Sequence, residues 1–104
     1  MRRPYLKNLK KLLTKIPVIT RGTIPEVKIR AVTSDSRLVK PGDAFVAIKG
    51  DNFDGFDYIP TAIERGASLI ISNRPAPPNL AVAYLEINDD PRKALAWLAA
   101  ATQN

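Results

Sequence analysis

Short apolar runs separated by segments of helical spacing are the feature that most constrains this fold. Residues 44–48 and 69–71 are continuous apolar runs of strand length, and residues 82–87 form a third predicted strand. Such runs are typical of strands in a sheet that is covered on both faces. Residues 27–31 instead alternate apolar with basic side chains, which predicts a half-buried strand.

Helical patterns surround these strands. Leucines and Ile16 recur at three- and four-residue spacing, with lysines between them, so an amphipathic helix is predicted over residues 5–16, ending at Pro17. A second helix is predicted from an Asp57 N-cap, with Pro60 in its first turn and Gly66 at its end.

The end of the chain predicts a third helix. Asp90 is its predicted N-cap, and Pro91 occupies its first position. This helix is rich in alanine and has only Asn104 as a weak terminator, so we expect a chain cut at a domain boundary.

Strands that alternate with helices predict an α/β fold, because parallel neighbours need crossover connections. The 104 residues suffice for one compact domain and are too few for two of average size. We therefore expect a single small domain over residues 1–104. Its sheet should be largely parallel or mixed, with about four to five strands and helices on both faces.

Composition excludes several classes of site. The chain has no cysteine and no histidine, which removes disulfides, thiolate metal sites and histidine-based catalytic pairs. None of its five glycines precedes a lysine, so a phosphate loop is missing, and a dinucleotide fingerprint is missing too. Three carboxylates, Asp51, Asp54 and Asp57, have a spacing that only loosely resembles a cation loop, and no metal site is predicted.

The net charge of +6 arises in the first 21 residues, where seven basic side chains precede any acid. These are Arg2, Arg3, Lys7, Lys10, Lys11, Lys15 and Arg21. A solvated helix face is the interpretation we favour, and a nucleic-acid or membrane contact is the alternative. No apolar run approaches the roughly 20 residues of a membrane span. We expect a cytoplasmic protein without nucleic-acid or membrane partners.

A polar cluster, Ser34-Asp35-Ser36-Arg37, follows the strand predicted at 27–31, and a second polar loop, Gly50 to Gly55, follows the run 44–48. Glycine and aspartate at such reversals expose amide donors, and arginine suits phosphate or carboxylate. The cluster therefore has two interpretations. Either Asp35 closes a turn while Arg37 pairs with Asp35 or Asp43, or these groups bind an anionic ligand.

Several short motifs occur together, in order and at fixed intervals, over nearly the whole chain. They are Ser34-Asp35-Ser36-Arg37, Lys40-Pro41-Gly42-Asp43-Ala44-Phe45-Val46-Ala47, Gly50, Asp54-Gly55, Tyr58-Ile59, Ala62-Ile63 and Gly66-Ala67. Together they resemble the N-terminal, UDP-sugar-binding domain of Mur ligases. The chain is most similar to the tripeptide synthetase, or MurE type, and the segment 53–57 would also suit the MurF type, which adds D-Ala-D-Ala.

This resemblance implies a set of ligand contacts. The residues that would contact uridine diphosphate are Ser34, Ser36, Asp51, Asn52 and Phe53. Supporting positions are Asp35, Arg37, Gly50, Asp54 and Gly55. Phe53 would either pack against the uracil or ribose, or anchor its loop. The family commonly has histidine where Phe56 stands. No residue is expected to be catalytic.

A four-residue segment, Asp89-Asp90-Pro91-Arg92, is similar to the Asp-Asn-Pro-Arg signature of the family's C-terminal domain. That signature reads the incoming amino acid. Because Asp90 and Pro91 open a predicted helix here, we interpret the segment as a helix cap.

The resemblance also implies what the complete enzyme does. It would use ATP and magnesium to activate the glutamate carboxylate of UDP-N-acetylmuramoyl-L-alanyl-D-glutamate and join it to an amine. The central ATPase and C-terminal domains are absent from these 104 residues, so the chain alone should be inactive and need no cofactor. A basic interaction or nucleic-acid-binding module is the alternative function.

Overall fold

The computed structural model describes residues 5–103. Arg2, Arg3 and the suggested terminator Asn104 lie outside this range. The strands are β1 (Lys7–Asn8), β2 (Thr20–Arg21), β3 (Lys28–Ile29), β4 (Val32–Thr33), β5 (Ala44–Val46), β6 (Leu69–Ser72) and β7 (Ala83–Ile87). The helices are α1 (Leu9–Leu13), α2 (Ile59–Glu64) and α3 (Pro91–Thr102), with 3-10 turns at Ser36–Leu38 and Gly55–Tyr58.

The main sheet has five strands in the order β2-β7-β6-β5-β4. Strands β4 to β7 are parallel neighbours, whereas β2 pairs antiparallel with β7. A separate two-stranded sheet joins β1 to β3. The α/β fold with a mixed sheet is therefore confirmed.

Both faces of the sheet are covered, as the apolar runs predict. Ala44 and Val46 point to one face and pack in a core that includes residues of α1 and α3. Phe45 and Ala47 point to the other face, where the core includes Ile59 and Ala62 of α2. Alternate residues of β5 thus enter opposite cores, which explains why this strand is apolar throughout.

The helix predicted over residues 5–16 is wrong in its extent, because α1 covers only Leu9–Leu13. Lys7 and Asn8 instead pair with β3, and the Asn8 side chain accepts a hydrogen bond from the Lys11 N–H at 3.2 Å. Asparagine is a strong N-cap, so pairing upstream and capping together set the start of the helix. Leu6 is left exposed rather than on a buried helix face.

The strand predicted over residues 27–31 is also divided. Its middle part pairs with β1 as β3, and β4 begins later, at Val32. Between the two strands, the Arg30 N–H donates to the Gly42 carbonyl at 2.8 Å. The chain changes sheets here, which a local alternation of apolar and polar residues cannot reveal.

The helix caps are partly as predicted. Asp90 accepts from the Arg92 N–H at 3.0 Å with Pro91 opening α3, and Gly66 follows α2 with φ of +107°. Asp57 is not a cap. Asp54 caps the 3-10 turn instead, accepting from the Phe56 N–H at 3.0 Å, because the chain enters α2 through this turn.

Residues 5–103 contain no helix that is long and apolar enough to cross a bilayer.

Candidate functional site

A groove of about 470 Å³ lies at the carboxyl ends of β4 and β5. We call it the carboxyl-edge groove. It is lined by Ser34, Asp35, Ser36, Arg37, Phe45, Phe53, Gly55 and Tyr58. Because parallel neighbours end at the same edge of a sheet, the turn after β4 and the loop after β5 become its two walls. Ligands of open α/β sheets bind at this kind of edge.

The turn after β4 is closed by Asp35. Its Oδ1 accepts the Arg37 N–H at 3.0 Å, which caps the 3-10 turn, and its own N–H donates to Thr33 Oγ1 at 3.1 Å. Arg37 Nε and Nη2 donate to the two Asp35 oxygens at 3.0 and 2.8 Å. Of the two predicted partners, Asp35 and Asp43, Arg37 therefore pairs with Asp35.

Asp43 has a different basic partner. Its buried carboxylate lies 2.8 Å from Arg30 Nη2 and accepts the Lys40 N–H at 2.9 Å. Asp43 thus closes the turn before β5 and lies outside the groove lining, whereas Arg37 and Asp35, which pair with each other, are both part of that lining.

The two serines of the turn both line the groove. Ser36 is buried within the 3-10 turn, and Ser34 is half-buried just before it. A hydroxyl both donates and accepts hydrogen bonds, so this wall can bind polar groups of either kind.

The loop after β5 forms the opposite wall. The Gly50 N–H donates to the Phe53 carbonyl at 2.8 Å, and the Gly55 N–H donates to the Ile48 carbonyl at 2.9 Å. Phe53 is 58% exposed, and its ring meets that of Tyr58 edge to face with centroids 6.1 Å apart. Asp51 and Asn52 are exposed and lie outside the groove lining.

Two aromatic residues of the groove were not predicted from the sequence. Tyr58 falls within the helix predicted from Asp57, but in the structure it ends the 3-10 turn before α2, is 43% exposed and lines the groove. Phe45 is fully buried and forms part of the groove lining. An aromatic residue with a polar tip, directly before a proline-opened helix, is the one signal that could have suggested Tyr58.

Carboxylates of this edge accept several hydrogen bonds, which lowers their pKa. The pKa of Asp35 is lowered by the Arg37 side chain and N–H. The pKa of Asp54 is lowered chiefly by the Phe56 N–H and also by Arg74, whose guanidinium donates to it. The pKa of Asp89 is lowered chiefly by the N–H groups of Ile19 and Asp90.

These shifts predict a loss of stability in acid. A carboxyl whose pKa is lower in the folded state stabilises the fold fully above its unfolded value of about 4, and that contribution is lost as pH falls through the folded pKa. The free energy of unfolding should therefore change little between about pH 5.5 and 8, where no histidine titrates, and fall below about pH 4.

Urea unfolding across this pH range tests the expectation, with Asp89→Asn as the diagnostic variant. The variant should lose less stability between about pH 5.5 and 3 than the wild type. An equal loss in both proteins would contradict the role given to Asp89.

The segment similar to the amino-acid-reading signature has local partners. Asp89 accepts from the Ile19 N–H at 3.1 Å and from Lys93 Nζ at 3.2 Å, and Asp90 caps α3. The cap interpretation is therefore confirmed. Within the described part of the chain, no group of three or more Asp, Glu, His or Cys side chains is placed to hold a metal.

Comparison with known proteins gives the same family as the motifs. The model of the Mur ligase family, catalytic domain, matches residues 28–103. A UDP-N-acetylmuramoyl-L-alanyl-D-glutamate--2,6-diaminopimelate ligase of Rhizobium meliloti (strain 1021) is 40% identical over 79 residues, which cover 76% of this chain and 16% of that protein. The ligase of the same name from Geobacillus thermodenitrificans (strain NG80-2) is 39% identical over 93 residues, covering 88% and 18%.

Among solved structures, the chain is similar to UDP-N-acetylmuramoylalanyl-D-glutamyl-2,6-diaminopimelate--D-alanyl-D-alanyl ligase from Acinetobacter baumannii. The TM-score is 0.70 with 28% identity, and the match covers 94% of this chain and 22% of that one. The chain thus spans less than a quarter of the length of these relatives. Since the family model covers nearly three quarters of its residues, this chain belongs to the Mur ligase family.

Proposed function

We propose that this chain is the N-terminal domain of a ligase of the MurE type and that it holds the uridine diphosphate end of UDP-N-acetylmuramoyl-L-alanyl-D-glutamate. The Rhizobium meliloti relative is named as a ligase of this same UDP-linked dipeptide. The complete enzyme would join the substrate to the third residue of the peptidoglycan stem peptide in an ATP-dependent reaction. A cytoplasmic location is part of the proposal, because that reaction draws on a pool of ATP.

The observation that carries the proposal is the pairing of a polar wall with an aromatic wall across the carboxyl-edge groove. Ser34 and Ser36 line the groove from the turn after β4, while Phe53 and Tyr58 line it from the loop and the 3-10 turn that follow β5. A nucleoside offers a flat base for stacking and polar groups on its base edge and ribose for hydrogen bonds. The volume of the groove lies within the usual range of small-molecule sites.

Each proposed contact has a part in this arrangement. Phe53 stacks on the uracil or ribose, and the two serines bond polar groups of the nucleoside. Asp51 and Asn52, on the loop that carries Phe53, contact outer polar groups of the ligand. Gly50, Asp54 and Gly55 shape that loop, and Asp35 holds Arg37, whose fixed guanidinium suits a phosphate.

The residues present do not fit ATP or magnesium. The chain has no phosphate loop, and the described carboxylates form no metal cluster. No reaction step is assigned to its side chains. It supplies binding energy at a distance from the reacting bond, which holds the substrate in place while other domains act.

A second candidate is the N-terminal domain of a MurF-type ligase, which the likeness to the Acinetobacter baumannii structure favours. Both types act on a UDP-linked muramoyl peptide, so the role of the groove is the same in each. Activity of the longer enzyme with diaminopimelate, compared with D-alanyl-D-alanine, separates the two types.

Replacing Phe53 with alanine should weaken uridine diphosphate binding about tenfold, because base–aromatic stacking contributes about 1–3 kcal/mol. Isothermal titration of the wild type and the variant measures the change. Ile19→Ala is the control, since Ile19 is also exposed but lies outside the groove lining.

Unchanged affinity in the Phe53 variant would contradict the aromatic wall. The basic interaction module would be favoured if the wild-type chain bound neither uridine diphosphate nor the UDP-linked dipeptide. It would also have to retard RNA or DNA in a gel in a salt-sensitive manner.

A further inference from the structure

One charged residue outside the groove lining is held by contacts that the proposed function does not use. Arg74 lies in the loop between β6 and β7, and its N–H donates to Ser72 Oγ at 3.1 Å. Its carbonyl accepts the Tyr84 hydroxyl at 2.6 Å. Both backbone groups of Arg74 are therefore tied to side chains of the two strands that flank its loop.

The guanidinium of Arg74 reaches the loop after β5. Its Nη2 donates to Asp54 Oδ2, while Asp54 Oδ1 accepts the Phe56 N–H. The same guanidinium lies 5.0 Å from the centre of the Phe56 ring, within cation–π range. Arg74 thus contacts residues on both sides of Gly55, at the point where the loop ends and the 3-10 turn begins.

Asp54 is also the residue that closes this loop. It pairs with Lys49 in an isolated antiparallel bridge, and its neighbour Phe53 accepts the Gly50 N–H. Holding Asp54 therefore fixes the backbone that carries the Phe53 ring. The turn after β4 needs no such outside support, because Arg37 and Asp35 close it themselves.

We propose that Arg74 is a positioning residue for the carboxyl-edge groove: by holding Asp54 and Phe56 it sets the Phe53 ring against Tyr58 before any ligand binds. This inference rests on the proposed function for its affinity readout only. Pre-ordering a binding loop removes part of the entropy cost of binding, so the ligand is held more tightly without touching Arg74.

Isothermal titration with uridine diphosphate tests the effect on affinity. Arg74→Met should bind about fivefold more weakly, a size suited to a partly exposed ion pair with one ring contact. Arg74→Lys keeps the charge and should recover part of the affinity. Arg65→Met is the matched control: Arg65 is exposed in the turn after α2, outside the groove lining, and its variant should bind like the wild type.

A double-mutant comparison separates positioning from a general structural role. Asp54→Asn keeps an oxygen for the Phe56 N–H and removes the charge that Arg74 holds. If Arg74 acts through Asp54, the double variant should bind no more weakly than the weaker single variant. Losses that simply multiply would overturn the proposal, as would wild-type affinity in Arg74→Met.

A ligand-free readout keeps the two proposals distinguishable. In the wild type, ring protons of Phe53 and Tyr58 should give a nuclear Overhauser effect, since their centroids are 6.1 Å apart. The effect should weaken in Arg74→Met, return in part in Arg74→Lys, and persist in Arg65→Met. If the wild type fails to bind uridine diphosphate, the proposed function fails for this chain. An unchanged ring contact in a folded Arg74→Met variant overturns the positioning role in either case.

Discussion

Phe45→Ala should lower the free energy of unfolding by about 3–5 kcal/mol, the usual cost of removing a buried phenylalanine ring. Among residues 5–103, Phe45 is the largest fully buried side chain, and it packs in the core beneath α2 with Val39, Ile59 and Ile70. The ring also lines the groove, so the cavity left behind would open into the site proposed for uridine diphosphate. Urea unfolding followed by circular dichroism measures the loss of stability.

Two further variants separate the core role of Phe45 from its groove role. Phe45→Leu keeps most of the volume and should cost no more than about 1.5 kcal/mol. Leu98→Ala removes a fully buried side chain from the core on the opposite face of the sheet, with an expected cost of about 2–5 kcal/mol.

Uridine diphosphate affinity of the folded fraction then decides the groove role. Affinity should fall in Phe45→Ala and remain near wild type in Leu98→Ala. Equal affinity in these two variants would show that the base of the groove does not contribute to binding.

The central strands were predictable because the residues of each strand are themselves enough to indicate that both of its faces are buried. Each of the runs containing β5 and β6 is apolar on both faces, so no partner needed to be known to recognise a covered sheet. The cap at Asp90 and Pro91 was predictable for a related reason. Both residues act on backbone groups within a turn of themselves, and their chemistry is independent of the rest of the fold.

Elements defined by distant partners were not predictable. Strand β2 has only two residues and exists because Thr20 and Arg21 pair with Ile87 and Glu86 at the far end of the chain. The start of α1 was misplaced because Lys7 and Asn8 pair with β3, which overrides a helical spacing that continues through them. A two-residue strand carries too few side chains to show any period.

In the candidate site, too, the contacts between near neighbours in the chain were predictable and those between distant residues were not. The turn around Asp35 is a local device, so the sequence predicted both its closure and its pairing with Arg37 as one of two options. Arg74 is 20 residues from Asp54 in the chain, and only the parallel pairing of β5 with β6 brings them together. No local motif marks such a residue.

Gly55→Ala should destabilise the domain by about 3 kcal/mol and abolish uridine diphosphate binding, because no space exists for a side chain there. A Cβ on Gly55 would lie 2.6 Å from the Ile48 nitrogen, 2.8 Å from its oxygen and 3.2 Å from the Ala47 Cα. All three are backbone atoms of the segment that follows β5. They could move only by breaking the hydrogen bond from the Gly55 N–H to the Ile48 carbonyl, which closes the loop that carries Phe53.

Gly50→Ala is the matched control within the same loop. A Cβ on Gly50 would meet the Phe53 ring and carbonyl at 3.5 Å, which is ordinary van der Waals contact, so this variant should change stability by less than about 1 kcal/mol. Urea unfolding and isothermal titration of both variants give the comparison. Wild-type stability in Gly55→Ala would show that the loop accommodates a methyl group against the Ile48 backbone. Wild-type affinity for uridine diphosphate would show that the close approach at Gly55 is not required for binding.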